Sequence, residues 1–111
     1  MKLWVDDVRP APNGYVWCKS VISAVHEILQ AEALAKAGAS GVWAKPEECV
    51  IELIDLDHDA GEYASCGGDF IKLLDWLEAT GKNYPMHIHS INPVGVANMR
   101  RIIKRNGWKE V

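Results

Sequence analysis

The stretch IELIDLDHDAGE, Ile51–Glu62, decides how the chain is read. With the two residues before it, its apolar half reads as a strand, CVIELIDLD (49–57), apolar enough to be mostly buried. Its second half sets Asp57, His58 and Asp59 at the strand exit, and Gly61 then breaks the chain. Asp55, inside the strand, reads as a residue paired with a neighbour. Such a segment needs cover from helices and an edge where polar groups can meet water.

The flanking sequence supplies both. On the N-terminal side, KLWVDDVRP (2–10) is a short strand that stops at Asp6–Asp7, with Pro10 and Pro12 holding the exit as loop. YVWC (15–18) is a second strand. SVISAVHEILQAEALAKAG (20–38) is helical, with Val21, Val25, Ile28 and Leu29 on one stripe, Ser20 as cap and Gly38 as stop. GASGVWAKPEE (38–48) reads as loop. On the C-terminal side, Phe70, Leu73, Leu74 and Leu77 mark a second helix ended by Gly81. MHIHSI (86–91) is a fourth strand. Asn92 caps a third helix with Pro93 in its first turn, and Asn106–Gly107 stops it. WKEV (108–111) offers a fifth short strand. Alternating strands and helices predict a parallel sheet in an α/β domain. Residues 1–111 read as one domain.

Composition narrows the class. Apolar residues make up 49% of the 111, enough for a core. A net charge of −3 argues against a mainly electrostatic nucleic-acid binder. No apolar run reaches a membrane span, and MKLWVDDVRP carries acids where a signal peptide is apolar. Cys18, Cys49 and Cys66 form no C-x-x-C pair and suit reduced thiols in a cytoplasm. Trp4, Trp17, Trp76 and Trp108 read as mostly core.

Three strands end in polar clusters: Asp6, Asp7 and Arg9; Asp57, His58 and Asp59; His89, Ser90 and Asn92. In a parallel α/β sheet these exits share one edge, where ligands bind. Clustered carboxylates favour a magnesium or manganese ion. His87 and His89 lie on one strand face, suited either to a transition metal or to general acid–base chemistry. His87, nearer the strand start, reads equally as a core histidine. Ser90 is a turn residue or a phosphate-oxygen donor, and Asn92 a cap with or without a second role. Gly67–Gly68 serve a tight turn or let a phosphate approach a helix N-terminus. His26 and the basic run RRIIKRNGWK (100–109) read as solvated surface.

LWVDDVRP, LDHDAG and HIHSINPVGVANM together resemble the cyclic-phosphate-processing receiver-like family, a divergent branch of the response-regulator receivers, over nearly the whole chain. The resemblance implies a three-layer receiver-like (flavodoxin-like) sandwich with a short, mainly parallel sheet of four to five strands. The receiver pattern implies metal-binding acids at Asp6 and Asp7, the phosphoacceptor position at Asp57 and the conserved hydroxyl at Ser90. The receiver lysine has no convincing counterpart, since Lys109 lies in the wrong company. The divergent family implies cyclic-phosphate processing, with Asp7, Arg9, Asp57, His58, Asp59, His89, Ser90 and Asn92 as its site.

The reading that follows is a metal-assisted phosphoesterase acting on nucleotide- or RNA-derived cyclic phosphates. His89, His58 and Asp57 are its expected catalytic residues. Arg9, Ser90, Asn92 and Asp59 bind substrate, and Asp6, Asp7 and Asp57 hold the metal. The expected partner is a small phosphorylated molecule or nucleotide, with nucleic acid only as an RNA-end substrate, a protein partner allowed and no membrane. A receiver-like module that binds nucleotide or protein without turnover is the first alternative, and a phosphoacceptor receiver at Asp57 the second.

Overall fold

In the computed structural model, which describes residues 1–39 and 50–111, the elements follow the polarity pattern. They run β1 (Lys2–Val5), β2 (Tyr15–Cys18), α1 (Val21–Ala39), β3 (Leu53–Leu56), a 3₁₀ turn (Gly61–Ser65), α2 (Ile71–Ala79), β4 (Met86–Ile88) and α3 (Pro93–Asn106). The loop expected over 38–48, apart from its first two residues, and Cys49 lie outside the described residues. All strand pairs are parallel, in the order β2-β1-β3-β4. That is the flavodoxin-like arrangement, with its switch point between β1 and β3. The α/β receiver-like architecture is thus as the sequence implies. Among the described residues, no helix is long and apolar enough to cross a membrane.

Side-chain alternation sends Leu3, Val5, Cys18, Ile54, Leu56, Met86 and Ile88 to one face of the sheet, where all are buried. The helices pack on that face. Val21, Ala24 and Ile28 of α1, Leu73, Leu74 and Leu77 of α2, and Met99, Ile102 and Ile103 of α3 join the same core, together with Phe70 and Trp108. Burial of each large side chain contributes about 1.5–3 kcal/mol. The other face, with Lys2, Trp4, Tyr15, Trp17, Leu53, Asp55 and His87, contributes nothing to that core. Among the described residues the three helices join one core on the first face. The β1–β2 connection is a loop from Asp6 to Gly14 with two prolines, so it places no crossover helix on the second face.

Local expectations hold where a cap is involved. Ser20 Oγ accepts from Ser23 N (3.0 Å) at the start of α1. Asn92 caps α3, and Gly107 at φ 67° ends it. Others are corrected. α1 continues past Gly38 to Ala39, because a glycine inside a helix weakens it without ending it. Leu29 is 48% exposed, since the stripe facing the core is Val21, Ala24, Ile28 and Ala31. Trp4, Trp17 and Trp76 are half-buried, and Trp108 alone of the described tryptophans is in the core. His87 is exposed on the second face, its Nδ1 2.9 Å from the Val111 carbonyl. The fifth strand is reduced to a single parallel bridge, Met86 to Glu110.

Candidate active site

The carboxyl ends of β1, β3 and β4 converge at the switch point. Asp6 is buried (1% exposed) because Oδ1 accepts from the N–H groups of Val8 and Arg9 (2.9 Å each), closing a tight turn after β1. Trp17 Nε1 donates to the Asp6 carbonyl (2.6 Å), tying that turn to β2. Asp57, 8% exposed, follows β3 and accepts from His58 N (2.7 Å). One carboxylate oxygen from each of Asp6, Asp7 and Asp57 lies within 4.8 Å of the others. Gly61 opens the 3₁₀ turn against this cluster at φ 54°. A Cβ there would overlap the Asp7 carboxylate, so a side chain at 61 would close the acidic pocket.

His89 extends from β4 into the same group. Its Nε2 lies 2.9 Å from Asp6 Oδ2 and its Nδ1 2.7 Å from Asp55 Oδ1. Two carboxylates can only accept, so the ring donates from both nitrogens and is an imidazolium. Burial works against that charge, but Asp55 and Asp6 outweigh it and raise the His89 pKa above its ordinary value. Asp6 answers in kind. Burial would raise its pKa, yet the Arg9 and Val8 N–H groups and His89 hold it below the usual carboxylate range. Asp7 moves the other way, pushed up by burial and then by the charges of Asp6 and Asp57. Trp4 stacks flat on His89, with centroids 3.9 Å apart and planes at 3°, and its Nε1 donates to the Arg9 carbonyl (2.9 Å). Arg9 closes the ring of contacts, donating from Nη1 to the His89 carbonyl (3.0 Å) with Nε 3.8 Å from Asp6 Oδ2.

His58 forms a second unit. Its Nδ1 is 2.7 Å from Asp59 Oδ1, and Asn92 Nδ2 donates weakly to the same oxygen (3.4 Å). With Asp59 accepting, Nδ1 carries a proton. Nε2 has no protein partner among the described residues, and it is not a buried orphan. The ring lies against the first turn of α3. A Cβ on Gly95 would fall 2.5 Å from His58 Cγ, so glycine there makes the seat for the imidazole.

Asp6, Asp7, Arg9, Asp57, His58, Asp59, His89, Ser90 and Asn92 thus follow the exits of β1, β3 and β4 at one rim, though not all in one shell, whereas His87 does not join them. Asp6, Asp7, Asp57, Arg9 and His89 meet directly. His58, Asp59 and Asn92 are linked to them through Asp57. Ser90 Oγ accepts from Asn92 N (3.1 Å), shaping the turn into α3, where Asn92 Oδ1 accepts from Gly95 N (3.0 Å). Lys109 is far from the acids in the fold, beside Met86 at the entrance of β4. Gly67 and Gly68, at φ 111° and 92°, turn the loop tightly against Val21 and Lys72. Arg100 and Arg105 pair with Glu110 and Glu78 (2.8 and 2.9 Å), away from the rim. Asp55 is paired with a neighbour, as its place inside the strand implied, though its partner was not named; Trp4 and Gly95 are the contributors that sequence reasoning missed.

The acidic trio could hold a hard divalent cation: all its donors are oxygen, and Asp7 is pushed up first by burial and then by the charges of Asp6 and Asp57. Comparison with curated proteins and with solved structures gives no match. Comparison with family models does: residues 1–105 match the cyclic-phosphate processing receiver domain. The chain belongs to the cyclic-phosphate processing receiver domain family.

Proposed function

We propose that the protein is a phosphoesterase that opens cyclic phosphate esters of nucleotides or RNA ends at the Asp/His rim. The observation that carries this reading is a cluster of three carboxylates with a separately oriented histidine next to it in the chain, His58, joined to Asp57 through its backbone N–H and with Nε2 left for a substrate. In the reaction a water oxygen attacks phosphorus and one ester P–O bond breaks. The water loses a proton, the departing sugar oxygen gains one, and a phosphomonoester results. His58 moves these protons through Nε2, held in orientation by Asp59 as Asn92 holds Asp59. Arg9 keeps donors on its guanidinium for the phosphate oxygens. His89, with both nitrogens engaged, is a positioning residue: it fixes Asp6 and balances its charge. Asp6, Asp7 and Asp57 would hold magnesium or manganese, which when bound supplies Lewis-acid polarisation of phosphoryl oxygen. Ser90 borders the site as a hydroxyl donor.

The test is a panel of nucleoside 2′,3′- and 3′,5′-cyclic monophosphates followed by phosphorus NMR, with and without magnesium or manganese. Turnover is expected in the wild type, with a loss on the order of 100-fold or more in His58→Gln. Inertness of the wild type toward every compound under all conditions overturns the reading. Calorimetric binding without turnover would then favour a non-catalytic module. Labelling by acetyl phosphate that disappears in Asp57→Asn would favour a phosphoacceptor.

A further inference from the structure

The sheet face that no helix covers among the described residues combines π-surfaces with two lysines. Trp4 and Trp17 stand in register on β1 and β2, and Tyr15 is two residues before Trp17, about 6.6 Å by strand rise. All three rings are half-buried. Lys19 Nζ sits 4.3 Å from the Trp17 ring centroid and Lys2 Nζ 5.6 Å from that of Tyr15. Both lysines are exposed, as is His87 on the far side of the face. Among the strand residues of this face the one acid is Asp55, and it is buried and bonded to His89. Lys2 and Tyr15 also border a groove that holds Glu27 and Glu52, so the positive charge of this face is confined to Lys2 and Lys19 beside the rings. At its upper rim, Trp4 connects the face to the carboxylate cluster through its stack on His89.

We propose that this face binds single-stranded nucleic acid, whose bases stack on Tyr15 and Trp17 and whose phosphates draw Lys2 and Lys19 off those rings, leading a strand end toward the acidic rim. The chemistry favours this occupant: a single strand offers flat bases for the rings and a polyanion for the lysines, a pairing used by other open aromatic sheets. A duplex hides its base faces and satisfies only the lysines. The inference extends the proposed phosphate chemistry to a substrate class, but binding by the face needs no turnover.

The experiment is fluorescence anisotropy with a labelled octauridylate ending in a 3′-hydroxyl, at about 50 mM salt with EDTA. A strand without a cyclic phosphate isolates the surface from the reaction. Saturable binding is expected, about tenfold or more weaker in Tyr15→Leu and in the exposed pair Lys2→Glu/Lys19→Glu, and falling steeply with salt. Trp17 is left intact because its indole also holds the Asp6 turn. The lysine pair keeps the test valid should Tyr15→Leu misfold. Absence of saturation by about 200 μM, equal binding of a hairpin duplex, or affinity unmoved by the lysine pair overturns the proposal.

Discussion

His89→Leu removes the cation that lies between two buried carboxylates while keeping apolar bulk in its place. Asp6 would retain its bonds from Val8 and Arg9 N–H, but Asp55, 7% exposed, has no other side-chain partner among the described residues. Breaking a buried pair by removing one member typically costs about 3–5 kcal/mol, and the lost Trp4 stack adds up to about 1 kcal/mol. Small domains hold about 5–15 kcal/mol in all, so His89→Leu leaves the fold marginal. Asp55→Leu in the same chain removes the orphaned carboxylate. The double variant is then expected to lose at least about 2 kcal/mol less than the two single losses combined.

The pH dependence fixes the charge state. The His89 pKa is raised, so its contribution is complete below the ordinary value of 6.5 and is lost as pH rises through the raised one. The Asp6 pKa is lowered, so its contribution is present above the ordinary 3.8 and is lost as pH falls through the lowered one. The gap between wild type and His89→Leu is therefore widest between those two ordinary values and closes on either side. Urea unfolding of the metal-free protein across about pH 2 to 9 measures it. A gap below about 1 kcal/mol, or one flat in pH, refutes the buried imidazolium, as does simple additivity with Asp55→Leu.

Asp7→Asn removes the carboxylate whose ionised form is disfavoured in the fold; it is expected to stabilise the metal-free protein by about 0.5–1 kcal/mol and to abolish the rise in melting temperature on adding magnesium, read by differential scanning fluorimetry. Gly95→Ala gains about 1 kcal/mol of helix propensity but puts a methyl 2.5 Å from His58 Cγ, so a net loss of about 1 kcal/mol and a displaced His58 signal in nitrogen-15 NMR are expected. Burial, with Glu27 adding to it, pushes the Cys18 thiol up to about 12, so peptide mapping after iodoacetamide treatment at about pH 8 should find Cys18 unmodified and the half-buried Cys66 labelled.

Strand ends were the most legible feature, because a parallel sheet forces every strand exit to one edge. Asp6, Asp57 and His89 could be assigned to a common rim without knowing any contact. Asn92 was equally open, since a cap is a local bond with a local signature. Partners across strands were not, because they depend on register. Asp55 pairs in register with His87, and His89, two residues on, reaches back to it. The shared parity of 55, 57, 87 and 89 was the available signal. Gly95 carried a fainter one: a glycine inside the first turn of a capped helix serves the helix poorly and hints at a close neighbour. The lack of a helix between β1 and β2 was written in the proline-bearing link, too irregular for one, but its effect on Trp4, Tyr15 and Trp17 needed the sheet order. Ser90 was ambiguous because a hydroxyl before an Asn-Pro start serves a turn and a ligand equally well.

The cation at this rim separates the proposed chemistry from phosphoryl storage. A phosphoacceptor site gains charge on a carboxylate and needs a movable cation to hold it there. Lys109 lies beside Met86 and does not supply one. His89 is a cation, but both of its donors are spent on Asp6 and Asp55 and a third face is closed by Trp4. Swinging it toward a phosphoryl group on Asp57 would strand two buried carboxylates, at the several-kcal/mol penalty worked out above. Arg9 is anchored through one terminal nitrogen to the His89 carbonyl and can offer its remaining donors without breaking that group. A rigid imidazolium, a partly free guanidinium and three close carboxylates therefore favour a phosphate that arrives with its own counter-cation, reacts and leaves.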